Sequence, residues 1–108
     1  MKDFEIILAP MEGESSPKFR ELCYEKGATS VFTEMARVSA LARKNKSTLE
    51  KIKIEKAIPT YIQLSVSNEK DLIKFLKDFK PQEGFIGFNL NLGCPSPDHI
   101  NKGIGCAM

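Results

Sequence analysis

The sequence predicts an α/β protein whose strands run parallel and are joined by crossover helices. The first observation is that short apolar runs alternate with longer amphipathic stretches, in the order β-α-β-α-β-α-β. The second is the composition, because 42% of the residues are hydrophobic and 28% are charged, as in ordinary globular domains. Strands that alternate with helices in this way indicate a parallel sheet covered by helices.

The first two elements are a strand and a helix. Residues 4–9 form an apolar run that ends at Pro10, as a strand would. Ser16 can cap a helix whose first residue, Pro17, has no N–H that needs a partner. Gly27 is placed to end that helix. The predicted buried face of the helix contains Phe19, Leu22 and Cys23.

The next stretch predicts a second strand followed by helical segments. Residues 29–32 are β-branched and aromatic, which favours a strand. Residues 36–44 are rich in Ala, Leu and Arg, which favours a helix. Residues 47–50 resemble a capping box and predict a further short turn of helix.

The remaining elements are two strands separated by one helix. The third strand is predicted at residues 60–64, directly after Pro59, and the fourth at residues 85–92. Asn68 is predicted to cap the helix between them. The predicted buried stripe of that helix contains Leu72, Ile73, Leu76 and Phe79.

Two architectures fit this order of elements: a doubly wound sheet and a section of a (β/α)₈ barrel. The first strand-to-helix loop lacks GxGxxG, and GxxxxGK[ST] occurs nowhere, so the usual nucleotide loops of doubly wound folds are missing. We therefore favour the barrel. A complete barrel takes about 250 residues. With 108 residues, the chain is expected to be a truncated first half, about four strands long.

Charge and cysteine content set wide limits on function. A net charge of +2 neither requires nor excludes a nucleic-acid partner. Three cysteines without a CxxC pair argue against a disulfide framework or a structural zinc site, and we expect no metal. The single histidine, His99, is expected in a solvated loop. The apolar run at residues 6–9 is too short for a signal peptide or a membrane span, so a cytoplasmic location is expected.

Polar and sulfur-bearing residues follow every predicted strand. They are Pro10-Met11-Glu12-Gly13, Thr33-Glu34-Met35, Gln63-Leu64, and Asn89-Leu90-Asn91-Leu92-Gly93-Cys94-Pro95. In a β/α barrel the carboxyl ends of the strands meet at one mouth, where active sites lie. The four segments are therefore predicted to converge on one site.

These segments resemble the tRNA-dihydrouridine synthase family. LAPMEG followed by FREL is similar to the start of these enzymes, and TEM, QL, NLGCP and a GxG segment follow in the family's order and spacing. The resemblance extends from Ile7 to Met108. Residues 1–108 are accordingly expected to be the N-terminal portion of the family's FMN-binding TIM-barrel catalytic domain.

The resemblance implies an RNA-binding flavoprotein oxidoreductase of tRNA processing. FMN, reduced by NADPH, would pass hydride to a uridine in tRNA and form 5,6-dihydrouridine. By position in the motifs, Cys94 would donate the proton, Gln63 would bind the edge of the flavin ring, and Asn91 would hold the uracil. Residues bordering the flavin would be Pro10, Met11 and Glu12. A thiol with its ordinary pKa near 8.5 stays protonated at pH 7 and can act as an acid.

Three positions depart from the family pattern. Ser15 and Ser16 replace a threonine–aspartate pair, which could weaken packing of the loop or contact with tRNA. A glycine usual after the QL pair is absent from residues 65–67, and Asn89 stands where an aspartate is usual. These changes put the position of the substrate in doubt more than the chemistry.

Several alternatives stay open. Cys94 taken alone could be a buried structural cysteine, and Glu34 could orient groups near the flavin or be a structural carboxylate. Other functional readings are another FMN barrel oxidoreductase that reduces a small substrate, such as dihydroorotate or an enone, and a non-catalytic half barrel that self-associates through its exposed strand edges. The chain alone is expected neither to hold FMN tightly nor to turn over.

Overall fold

The computed structural model describes residues 4–92. In chain order, the elements of this part are β1 (Ile7–Leu8), α1 (Pro17–Glu25), β2 (Ser30–Phe32), β3 (Ala36–Arg37), α2 (Val38–Ala42), α3 (Lys46–Lys51), β4 (Thr60–Ser65), α4 (Glu69–Asp78) and β5 (Phe85–Leu90). None of the helices in residues 4–92 has the length and apolar character that a membrane crossing needs.

The strands form one parallel sheet. β1 pairs with β2, and β4 pairs with β2, β3 and β5. Because β5 occupies one edge of β4 along Thr60–Leu64, β2 and β3 share the opposite edge. The spatial order is therefore β1, then β2 with β3, then β4, then β5. With β2 and β3 taken as one strand position, each position lies beside the one before it in the chain, as in a barrel, and the prediction of a parallel sheet with crossover helices is confirmed.

β2 and β3 follow one another along the same edge of β4, and residues 33–35 interrupt the path between them. Val31 is paired with Thr60 and Ala36 with Leu64, so five steps along this path match four steps along β4. The extra residue produces an irregularity of the kind seen at bulges. The predicted helix at residues 36–44 is therefore wrong at its start. Pairing with β4 overrides the helical propensity of Ala36 and Arg37, and the helix begins at Val38.

The main core lies between the sheet and helices α2 and α4. Its buried members are Ala36, Val38, Leu41, Ile52, Ile62, Leu64, Val66 and Phe75. Five contacts among four phenylalanine rings extend this core, and the ring centroids of Phe79 and Phe88 are 4.9 Å apart. The predicted stripe of α4 is wrong at Ile73 and Leu76, which are about half exposed, because the helix turns Phe75 towards the sheet instead.

Local capping matches the sequence at two helices and differs at a third. Ser16 accepts a hydrogen bond from the Phe19 N–H (3.2 Å), and Asn68 accepts one from the Asp71 N–H (2.8 Å). The start of α3 is capped by Asn45 and not by Ser47. Asn45 is the capping residue because its side-chain oxygen accepts a hydrogen bond from the Thr48 N–H at 3.0 Å.

Helix α1 buries a charged residue. The predicted face of Phe19, Leu22 and Cys23 is only partly correct, since Leu22 is 48% exposed and Cys23 is half-buried. The one fully buried side chain of α1 is Arg20, which is 2% exposed. α1 packs against β2, and the sheet-facing position is taken by a guanidinium that finds backbone carbonyl partners there.

Candidate functional site

Hydrogen bonds join the carboxyl ends of the strands into one continuous group. The Gly13 N–H after β1 donates to Glu34 Oε1 at 2.7 Å, in the break between β2 and β3. The Gln63 N–H on β4 donates to Thr33 Oγ1 at 3.1 Å. Gln63 Nε2 donates to Asn89 Oδ1 on β5 at 3.0 Å. All four predicted strand ends therefore meet.

The loop after β1 is closed by a serine. Ser15 Oγ accepts from the Met11 N–H (2.9 Å) and donates to the Met11 carbonyl (3.0 Å), and Ser15 is fully buried. Pro10 is half-buried, whereas Met11 and Glu12 are exposed on the outer side of the turn. Ser15 thus closes the turn through its bonds to Met11, and Ser16 caps helix α1. Both serines of this pair therefore make polar contacts in the loop.

Gln63 lies at the centre of a small cluster of side-chain amides. Its side chain is buried, and its Oε1 accepts from Asn91 Nδ2 at 3.3 Å while its Nε2 donates to Asn89. Asn91 is itself fixed by its N–H, which donates to the Leu64 carbonyl at 2.9 Å. Since an amide group has two N–H donors and two acceptor lone pairs, Gln63 keeps one of each for a ligand.

Thr33 and Glu34 link two strand ends through the interruption between β2 and β3. Thr33 is fully buried, and its hydroxyl donates to the Glu34 carbonyl at 2.8 Å while accepting from Gln63. Glu34 is 8% exposed. Its carboxylate accepts a hydrogen bond from the backbone N–H of Gly13, a contact that fits both the orienting and the structural role.

Arg20 was not predicted as part of this region. Its guanidinium donates to the Ser15 carbonyl at 2.5 Å and to the Lys53 carbonyl at 2.7 Å. Burial lowers the pKa of Arg20 to about 10, and the negative charges of Glu34 and Glu55 act in the opposite direction. The group therefore stays charged at neutral pH. The only signal in the sequence was its place in the FREL segment.

Several predicted features lie outside residues 4–92 or away from the strand ends. Cys94, Cys106, His99 and the GxG segment fall outside the described residues. Within the described part, no three His, Cys, Asp or Glu residues are grouped as metal ligands. The basic run at residues 43–56 is exposed in large part, and its Lys56 contacts Glu21 at 2.5 Å.

A cleft of about 330 Å³ lies on the helical side of the sheet. Its apolar lining comes from Leu41, Leu49, Ile52, Phe75 and Phe79, with lysine, acid and glutamine side chains around them. None of the strand-end residues lines it. This cleft is therefore separate from the convergent polar groups, and the hydrogen-bonded strand ends are the better candidate site.

Comparison with known proteins identifies the family. The model of the family described as dihydrouridine synthase matches residues 7–108. The chain is 34% identical over 113 residues to the Saccharomyces cerevisiae tRNA-dihydrouridine(20a/20b) synthase [NAD(P)+], covering 94% of this chain and 28% of that protein. It is 30% identical over 104 residues to tRNA-dihydrouridine synthase B of Pseudomonas putida, covering 95% of this chain and 31% of that protein.

A third relative gives the same result. A probable tRNA-dihydrouridine synthase of Aquifex aeolicus is 31% identical over 109 residues, which cover 96% of this chain and 33% of that protein. The chain thus spans about a third of the length of these relatives. The matched segment contains every strand end described above. By sequence and by the arrangement of its parallel strands, the chain belongs to the dihydrouridine synthase family.

Proposed function

We propose that residues 1–108 form the N-terminal portion of an FMN-binding TIM-barrel domain that reduces uridine in tRNA to 5,6-dihydrouridine with NAD(P)H. Family membership and the names of the relatives support the reaction. The observation that carries the proposal is the hydrogen-bonded convergence of four strand ends. Active sites of β/α barrels lie at this face.

The proposed flavin contacts fit the residues present. Pro10, Met11 and Glu12 lie on a turn that Ser15 closes from behind, so their backbone can border a flat ring. Gln63 keeps one donor and one acceptor on an amide whose orientation Asn89 and Asn91 fix. The alternating donors and acceptors at the edge of a flavin suit such an amide. FMN, when bound, supplies the hydride; the protein orients the partners.

Cys94 is proposed as the proton donor and Asn91 as a contact of the target uracil. Cys94 comes three positions after Asn91 in the chain, and three residues of extended chain span at most about 11 Å. Asn91 is tied to Leu64 and Gln63, and the short distance in sequence from Asn91 to Cys94 supports the proposed role of the thiol. A neutral thiol there can protonate the carbon next to the one that receives hydride.

The proposed partner is folded tRNA. The target uracil lies in a base stack, and it has to leave the stack before a flavin at the mouth of a barrel can reach it. Gln63, Asn89 and Asn91 present amide groups that suit the carbonyl and imide groups of uracil and flavin. These strand-end amides are proposed to contact the base and the flavin, and we assign no contact with tRNA phosphates to them.

A hybrid protein tests this proposal. In it, this chain replaces the matching N-terminal segment of the Pseudomonas putida relative, and the hybrid is produced in cells that lack other dihydrouridine synthases. We expect the purified hybrid to show bound-flavin absorbance and to restore dihydrouridine in tRNA, measured by mass spectrometry of nucleosides. Cys94→Ala should keep the flavin and lose the dihydrouridine.

Cys23→Ala is the matched control, because Cys23 is a half-buried cysteine on α1. This variant should retain both the flavin and the product. Full dihydrouridine formation by the Cys94→Ala hybrid would contradict the assignment of the proton donor. Flavin bound without reduction of tRNA, but with reduction of a small enone, would favour the alternative oxidoreductase.

A second candidate is a non-catalytic half barrel that associates with another copy. Exposed apolar side chains on the outer strands favour it: Ile7 on β1, and Ile86 and Leu90 on β5, are all between 43% and 49% exposed. Unpaired strand edges with apolar side chains promote pairing between chains. Size-exclusion chromatography of the purified chain would show a dimer whose fraction rises with concentration, and a monomer at all concentrations would exclude it.

A further inference from the structure

Two buried charged residues grip the loop after β1 from opposite ends. Glu34 accepts from the Gly13 N–H at 2.7 Å, and Arg20 donates to the Ser15 carbonyl at 2.5 Å. Glu34 is 21 residues away from Gly13 in the chain, so the contact is made by the fold and not by local geometry. The loop also contains the turn closed by Ser15 and Met11.

The turn at Gly13 is shaped for this contact. Gly13 has φ of +80°, in the region that favours glycine, and no atom lies within 4 Å of the position that a Cβ would occupy. Backbone conformation, and not lack of space, is therefore what the glycine provides. That conformation directs the Gly13 N–H at the carboxylate, and a hydrogen bond to an ionised acceptor is about twice as strong as one to a neutral acceptor.

The negative charge of Glu34 favours the charged form of the buried Arg20 side chain. Burial opposes the positive charge of Arg20, and Glu34 is the acidic group whose field counteracts this burial most. Arg20 additionally holds the Lys53 carbonyl, so the same guanidinium ties the loop to the segment that precedes β4. Removal of one charge would leave the other buried with less compensation, which is costly in a protein interior.

We infer that Glu34 is a positioning residue that fixes the loop after β1 in the shape in which Pro10, Met11 and Glu12 border the flavin. Glu34 acts through the Gly13 N–H and does not itself touch a reacting atom. The importance of this loop for catalysis rests on the proposed function. The contact between Glu34 and the loop is independent of the proposed function, because it can be measured without any ligand.

The test is amide hydrogen exchange of the 108-residue chain by NMR, with the Gly13 amide as the reporter. In Glu34→Ala, Gly13 loses its acceptor, and its exchange should accelerate at least about tenfold, with an upfield shift of its proton resonance. In Glu34→Gln, an oxygen acceptor of similar reach remains, so exchange should accelerate only several-fold. The Thr33 amide, bonded to the Tyr61 carbonyl at 2.9 Å, reports whether the sheet is intact.

Glu14→Ala is the matched control, because Glu14 is an exposed carboxylate on the same loop. It should leave exchange at Gly13 within about twofold of the parent chain. If Glu34→Ala unfolds the sheet, the inference is tested by comparing Gly13 exchange in Glu34→Gln with that in the parent chain. Unchanged exchange and an unchanged resonance at Gly13 in folded Glu34→Gln, or in folded Glu34→Ala, would overturn the inference and leave the proposed reaction untouched.

Discussion

At the scale of single residues, the hydroxyl of Thr33 links the end of β2 to β4 through two hydrogen bonds. It is fully buried, it accepts from the Gln63 N–H, and it donates to the Glu34 carbonyl. The Thr33 N–H also joins β4, through the Tyr61 carbonyl. The positions of Gln63 and Glu34 therefore depend on Thr33, which belongs to the TEM motif but had no role of its own in the prediction.

Thr33→Val tests this role with almost no change of shape. The variant leaves the Gln63 N–H without its side-chain acceptor, and a buried polar group without a partner costs about 1–3 kcal/mol. We expect the free energy of unfolding, measured in urea, to fall by that amount. Thr48→Val is the control, because its hydroxyl makes an exposed contact with Asn45, and equal losses in both variants would refute the role.

The sequence predicted some of these residues and not others. Gln63 and Asn91 could be predicted because they follow apolar runs, and the ends of parallel strands meet at one edge of a sheet. The bond between Glu34 and Gly13 joins positions 21 residues apart, and it depends on a one-residue irregularity between β2 and β3 that has no local signal. The burial of Arg20 could not be predicted, because a helical charge normally faces solvent.

At the scale of elements, the helix starts with a local side-chain cap could be predicted from the sequence, whereas β3 could not. Ser16 and Asn68 cap α1 and α4 through bonds to residues three positions ahead, so the information is local. β3 depends on pairing with β4, which is about 28 residues further along the chain. That pairing is a property of the assembled sheet, and it converts two residues of a helical sequence into strand.

The turn before β5 requires glycine for both conformation and space. Gly84 has φ of +101°, and a Cβ there would lie 2.6 Å from the Ile58 carbonyl oxygen. Gly27 has φ of +120° with nothing within 4 Å. Gly27→Ala should cost about 1–2 kcal/mol of strain, and Gly84→Ala should cost about 1–3 kcal/mol more, because backbone has to move. Thermal unfolding of the two variants measures the difference, and equal costs would show that the close approach is unimportant.

An ion pair links α1 to the segment before β4 in a pH-dependent way. The hydrogen bond from Lys56 holds the pKa of Glu21 below its ordinary value of 4.5. Because the pKa is lower in the folded state, the stabilisation is present above pH 4.5 and is lost as pH falls through the folded pKa. The Tm difference between the parent and Glu21→Gln should be small at neutral pH and vanish in acid. A difference that grew in acid would contradict this assignment.

At the scale of the whole molecule, the parallel strands lie side by side in chain order. Their carboxyl ends therefore bring together polar groups that are far apart in the sequence, from Gly13 to Asn89. The apolar core lies between the sheet and helices α2 and α4, whereas the amides and the Glu34 carboxylate lie at the carboxyl ends of the strands. Parallel β/α architecture makes this separation of core and site general. The segment that matches the family contains all of these strand ends, although the chain spans about a third of the length of its relatives.

The most direct test of the central claim is an NMR titration of the chain with FMN. Because the chain alone is expected to bind FMN weakly, shifts should grow over a wide range of concentration without reaching stoichiometric binding. We predict that they concentrate at Met11, Gly13, the side-chain amide of Gln63, and Asn89, while Gly84 at the opposite end of β5 stays unchanged. Shifts confined to the cleft around Phe75, or no shifts at the strand ends, would contradict the account.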